Sequence, residues 1–163
     1  MFLILRRHRI FLKTKHIMYR NRLLKSLFYE PVSSSAKSFV LLMSRIIFGF
    51  MFLSHGIAKL HTYGDAPFTF PDPIGLGSTL SLWLVLFAEI LCSIGFVLGA
   101  LFRLCLIPMI FTMCIALFVI HAGDPLDVKE LSLMYLAIFA LLFITGPGRF
   151  SIDGILKRVF LNS

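Results

Sequence analysis

Apolar residues along this chain do not alternate with polar ones; they gather into four long runs. The runs cover residues 39–60, 79–98, 102–121 and 130–146. Each is close to the roughly 20 residues that an α-helix needs to cross a bilayer. The third, FRLCLIPMIFTMCIALFVIH, has no charged residue after Arg103 and no polar face. A helix of a soluble bundle keeps a polar face toward water, so the pattern predicts an all-α integral membrane protein. Short connections make neighbouring helices antiparallel, which predicts an up-down-up-down four-helix bundle. Pro108 predicts a bend in the third helix. In the second, Ala88, Cys92, Gly95 and Gly99 form a stripe of small residues at helical spacing, suited to close helix packing. Past the fourth run, Gly146-Pro147-Gly148 stops the helix and Ser151 is suited to cap a short final one. Ile152, Ile155, Leu156, Val159 and Phe160 recur on one face of that last helix, with Lys157 and Arg158 off it. Such a helix lies in the membrane interface.

Composition sharpens this picture and charge orients it. The chain has 163 residues, 58% hydrophobic and 15% charged, whereas soluble chains are about a quarter charged. Of sixteen Lys and Arg, nine fall in residues 1–37 with a single acid, Glu30. The remainder is formally neutral. The chain thus divides into a basic tail at 1–37, a four-helix domain at 38–156, and the end of the interfacial helix with a short tail at 157–163. The tail suits an interfacial segment on anionic lipid or a disordered one, and Met18 offers a later start. Some 37 residues precede the first run, so it reads as a retained signal anchor and not as a cleaved signal. The connection after it holds Asp65 and Asp72 and no Lys or Arg. The third connection holds Asp124, Asp127 and Glu130 against Lys129, while Arg103, Arg149, Lys157 and Arg158 sit at the other ends. The positive-inside rule then places both termini in the cytoplasm. Tyr63, Trp83 and Tyr135 fall toward the outer side, where an aromatic belt is expected. The bilayer is the expected partner and nucleic acid is not.

Ionisable residues inside a span cost about 2.5–3.5 kcal/mol each near its centre, so those retained here are the candidate chemistry. Span one carries Arg45, His55 and Lys59. His55 and Lys59 are one helical turn apart, and Arg45 lies within about 40° of Lys59 around the helix. Span two carries Glu89 near mid-membrane. A buried carboxylate needs a partner or a proton. Arg45 is the first candidate partner and Lys59 the second. With His121 these residues make either a structural pin between helices or a polar pocket that binds a ligand or moves protons. Cys92, Cys105 and Cys114 form no CxxC, and the chain has no metal or haem motif, no phosphate loop and no dinucleotide fingerprint. No catalytic residue is assigned. Redox chemistry here needs a bound small molecule or a partner protein.

Three segments carry a resemblance. They are LLMSRIIFGFMFLSHGIAKL, with Arg45, Gly49, Phe52, His55, Gly56 and Lys59; LFAEILCSIGFVLGALFR, with Glu89, Gly95, Gly99 and Arg103; and TGPGRFSIDG at 145–154. Together with four spans they resemble the DoxX family of small bacterial inner-membrane proteins, over about residues 38–156. The resemblance implies a four-helix membrane protein commonly labelled an oxidoreductase, with relatives in thiosulfate:quinone oxidoreduction and in thiol and oxidative-stress defence. It sets Arg45, His55, Lys59 and Glu89 on the family's recurrent polar positions, and Gly146, Pro147, Gly148, Ser151 and Asp153 on its C-terminal motif. The leading expectation is a membrane subunit that binds quinone and takes reducing equivalents from a soluble redox or thiol-handling partner, because a buried acid, a histidine and a lysine on facing helices can bind carbonyl oxygens and deliver protons. The cofactor itself and assembly into a homo-oligomer are left open. A non-enzymatic scaffold for a soluble partner and a small-molecule or proton pathway are the alternatives.

Overall fold

In the computed structural model, described here over residues 33–161, every long element is helical. The basic-tail reading falls almost wholly on residues 1–32 and so lies outside the described residues. Helix α1 spans Ser34–Tyr63 and α2 spans Ser78–Leu98. Helix α3 spans Phe102–Ile120, α4 spans Leu126–Thr145, and a shorter α5 spans Ile152–Leu161. The first four are long and apolar enough to cross a membrane. A 3-10 turn at Pro67–Thr69 lies in the connection from α1 to α2.

Two helices begin ahead of the apolar runs that announced them. Helix α1 starts at Ser34 and α4 at Leu126. Hydropathy marks the part of a helix that sits in lipid, while the backbone ladder continues until something stops it. At the head of α1, Ser38 is buried and its Oγ donates to the Ser34 carbonyl at 2.9 Å. At the head of α4, Asp127 lies in the first turn, where a carboxylate favours the helix dipole.

The interior is small and aromatic. Phe52, Phe96, Phe102, Leu106, Met109 and Phe139 are all but fully buried. The large apolar residues left outside, among them Phe39, Ile47, Leu91, Leu104 and Ile144, sit where lipid would cover them. Burying apolar surface gives no drive for helices to associate in lipid, so contact geometry has to do so. Helix α1 packs along α2, α2 along α3, and α3 along α4. Helix α1 reaches α4 through rings: Phe52 lies 5.0 Å from Phe139 and 5.2 Å from Tyr135. Such ring pairs contribute roughly 0.5–1.5 kcal/mol each beyond burial.

Of the small-residue stripe, Ala88, Cys92 and Gly95 lie in α2 as expected, and a Cβ on Gly95 would meet Cys105 Sγ on α3. Gly99 does not belong to the helical stripe. Helix α2 ends at Leu98, and Gly99 caps it at φ 67°, a backbone angle that glycine adopts without strain. A side chain there would also collide with Ser151 and the Arg45 guanidinium.

The C-terminal motif closes the bundle. Gly146-Pro147-Gly148 ends α4, and Ser151 caps α5, its Oγ accepting from the Gly154 amide at 3.0 Å. Asp153 reaches across to α3, where its carboxylate accepts from the amides of Leu101 and Phe102 at 3.0 and 2.9 Å. It thereby caps a helix whose own Leu101 offers no side-chain cap. Helix α5 presents Ile152, Ile155, Leu156, Val159 and Phe160 outward, the apolar stripe that the sequence predicts.

Candidate functional site

The chemistry of the bundle centres on Glu89. Its carboxylate is 1% exposed and takes both oxygens to Lys59 Nζ, at 2.6 and 2.7 Å. Glu89 sits in a π-helical segment, Phe87–Leu91, set within α2. A π segment adds a residue to one turn and re-aims the side chains on it, a distortion found frequently at functional sites. Opposite it on α1 is Gly56, where a Cβ would come to 2.8 Å from Glu89 Cβ and 3.1 Å from its carbonyl carbon. The absence of a side chain at Gly56 is what lets Glu89 lie against α1 one turn from Lys59.

Lys59 and Glu89 open onto a cavity of about 430 Å³. Its other walls come from Phe70 and Pro71 of the α1–α2 connection, from Leu84 and Val85 of α2, and from Pro108, Thr112 and Met113 of α3. His121 lines the cavity too, with Nδ1 2.7 Å from Asp124 Oδ2. The cavity is therefore mainly apolar, with one ion pair and one imidazole on its surface. Pro108 lies inside α3 and faces this space. A second π segment, Ala116–Ile120, ends α3 and adds Ala116 and Ile120 to the lining.

Two of the polar residues singled out in the sequence lie elsewhere. Arg45 does not pair with Glu89. It is 1% exposed, and its guanidinium donates to the carbonyls of Val97, Pro147 and Phe150. The reason is register: α1 runs against α2 with Gly49 beside Val97 and Gly56 beside Glu89. Arg45 is thus some eleven residues, or about 16 Å, down the axis from the level of Glu89. Of the two candidate partners, the second holds Glu89. His55 does not line the cavity; its ring meets that of Tyr135 edge-on at 5.9 Å.

Tyr135 corrects a second expectation. It does not join an interfacial aromatic belt but is 3% exposed among Phe48, Phe52, His55 and Phe139. Helix α4 begins at Leu126, which carries Tyr135 well into the bundle. Its hydroxyl is buried without a hydrogen-bond partner. Neither the π segment nor this buried phenol has a signature in the sequence. The turn at Asp72 does. Asp72 accepts from Ser81 Oγ and the amides of Gly77 and Leu76 at 2.8, 2.8 and 3.0 Å. Asp among Pro and Gly residues is the usual composition of such a turn. The Ser81 hydroxyl above all, then the amides, hold the Asp72 carboxyl below its ordinary value. The turn fixes the Pro71–Ile74 stretch that walls the cavity. Among the described residues, no group of three or more His, Cys, Asp or Glu is placed to hold a metal ion.

Four spans around a buried ion pair and a side cavity define a polytopic helical membrane protein. The sequence model of the DoxX family matches residues 40–122, about half of the chain, and the chain belongs to the DoxX family. That match takes in Arg45, His55, Lys59, Glu89 and His121 and ends before α4. No curated protein and no solved structure matches the chain.

Proposed function

We propose that this DoxX-family protein is the membrane subunit of a quinone-linked oxidoreductase in the bacterial inner membrane, and that the cavity beside Lys59 and Glu89 receives the quinone ring. The observation that carries this reading is the composition of the cavity: apolar walls about 430 Å³ in volume, with a buried acid and a lysine on one side. A quinone has the same division, an apolar body with carbonyl oxygens at its rim. The group supplies the redox chemistry; converting it to the quinol takes two electrons and two protons. In this chain Lys59 Nζ is placed to donate a hydrogen bond to a carbonyl oxygen, and Glu89 to exchange a proton once Lys59 turns away from it. His121 at the cavity wall can pass protons onward. The electrons come from a soluble redox or thiol-handling partner; oxidation of a dithiol to a disulfide releases the two electrons and two protons required.

On this reading both termini face the cytoplasm. Supporting this, Arg103, Arg149, Lys157 and Arg158 gather at one end of the bundle, while Asp65, Asp72, Asp124 and Asp127 lie at the other.

The test is binding of a quinone analogue to protein reconstituted in lipid. Wild type is expected to bind, and Lys59→Met and Glu89→Gln each to weaken binding by about tenfold, the equivalent of roughly 1.4 kcal/mol. Absence of binding by a folded wild-type protein, with Glu89→Gln indistinguishable from it, would sink the proposal.

A further inference from the structure

The end of the bundle away from the Lys59–Glu89 cavity carries an open cleft of about 820 Å³. It lies between the α2–α3 link, the 147–149 segment and α5. Arg103, Arg149, Lys157 and Arg158 line it against one carboxylate, Asp153. That carboxylate is committed to the Leu101 and Phe102 amides. The ion pairs among the described residues are Lys59–Glu89 and His121–Asp124, and neither is here. None of the four has an ion-pair partner among the described residues. Arg158 donates to the Gly154 and Arg149 carbonyls and Arg103 lies over the Phe143 ring, which leaves the Arg149 and Lys157 side chains to meet a ligand. Gathering like charges around a concavity raises the local potential and favours a bound anion.

Position selects the anion. Helix α3 begins at this cleft and α4 ends beside it, so the opening sits where the apolar spans give way to water, at headgroup level. Its rim is not polar throughout. Leu104, part of the lining, is 61% exposed. The apolar face of α5 continues outward through Ile155 and Phe160. A free anion would leave that apolar rim uncovered, whereas a lipid would cover it. Residues 1–32 are not suited as the occupant, since they bring eight more Lys and Arg with only Glu30 as an acid. We propose that this cleft seats the phosphate headgroup of an anionic phospholipid, with the acyl chains running down the apolar rim.

The experiment takes the full chain from phosphatidylcholine vesicles doped with phosphatidylglycerol and counts retained lipids by native mass spectrometry. Wild type is expected to retain phosphatidylglycerol selectively. The double variant Arg149→Gln with Lys157→Gln is expected to lose that enrichment by about fivefold for each cation removed. The charge-conserving pair Arg149→Lys with Lys157→Arg should keep it, and melting curves should match in all three. Arg6→Gln with Arg7→Gln removes the same charge from the tail and should reduce the enrichment by less than the cleft pair does. Three results would overturn the proposal. They are no lipid preference in wild type, an equal loss in the tail pair, and displacement of phosphatidylglycerol by inorganic phosphate, which would assign the cleft to a free anion.

Discussion

Single residues in this bundle are informative where they carry charge into a place that excludes water. Lys59 and Glu89 support each other, but asymmetrically: Glu89 is enclosed, while the Lys59 side chain is about a third exposed. Removing Lys59 leaves an enclosed carboxylate with no counter-charge, which costs on the order of 3–5 kcal/mol in buried pairs. Removing both charges leaves no such group. Lys59→Met is therefore expected to melt at a lower temperature in detergent than Lys59→Met combined with Glu89→Gln. Equal melting temperatures would show that Glu89 takes no ionic support from Lys59. The sequence was legible at this scale as far as residue type and face allow. His55, Lys59, Arg45 and Glu89 stood out because ionisable groups are rare in spans. The pairing was not legible, because it depends on how far α1 slides along α2, and side-chain spacing within one helix says nothing of that. Tyr135 was misplaced for a related reason, since its depth follows from a helix start that hydropathy does not mark.

At the scale of elements, the approach of α1 to α2 rests on two glycines that differ in what they face. A methyl group at Gly56 would press on the Cβ and backbone of Glu89, which cannot move without displacing the π segment. At Gly49 a methyl group would meet side-chain atoms alone, of Val97 and Phe96, and no backbone. Gly56→Ala is expected to cost about 1–3 kcal/mol, the usual range for overpacking, and to weaken quinone-analogue binding, while Gly49→Ala costs less. A larger loss at Gly49 in unfolding measurements would contradict this account of the helix contact. The α1–α2 connection behaves as an element in its own right, because Asp72 ties it to the head of α2. With its pKa held low by Ser81 and the turn amides, Asp72 contributes to the order of this connection at pH values above the ordinary carboxylate range. That contribution is lost as pH falls through the lowered value. Protection of the Leu76 and Gly77 amides against hydrogen exchange is thus expected to persist to pH values below an ordinary aspartate pKa. Asp72→Asn should reduce it at neutral pH. Protection that fades near the ordinary aspartate pKa in wild type would count against the turn.

For the molecule as a whole, four spans, short connections and the final amphipathic helix were all readable, because in lipid the backbone must satisfy itself and only a helix can do so within one segment. Closure of the bundle was not readable, since it depends on groups that meet from distant parts of the chain. Arg45 shows what that implies. Its acceptors at Pro147 and Phe150 lie 102 and 105 residues further along. A ribosome delivers α1 to the membrane long before those carbonyls exist. During that interval the guanidinium has at most the Val97 carbonyl, and it stays incompletely satisfied until α4 has been threaded and turned back. A chain stopped short of Pro147 therefore keeps inside its first helix a guanidinium that lacks two of its three carbonyl acceptors.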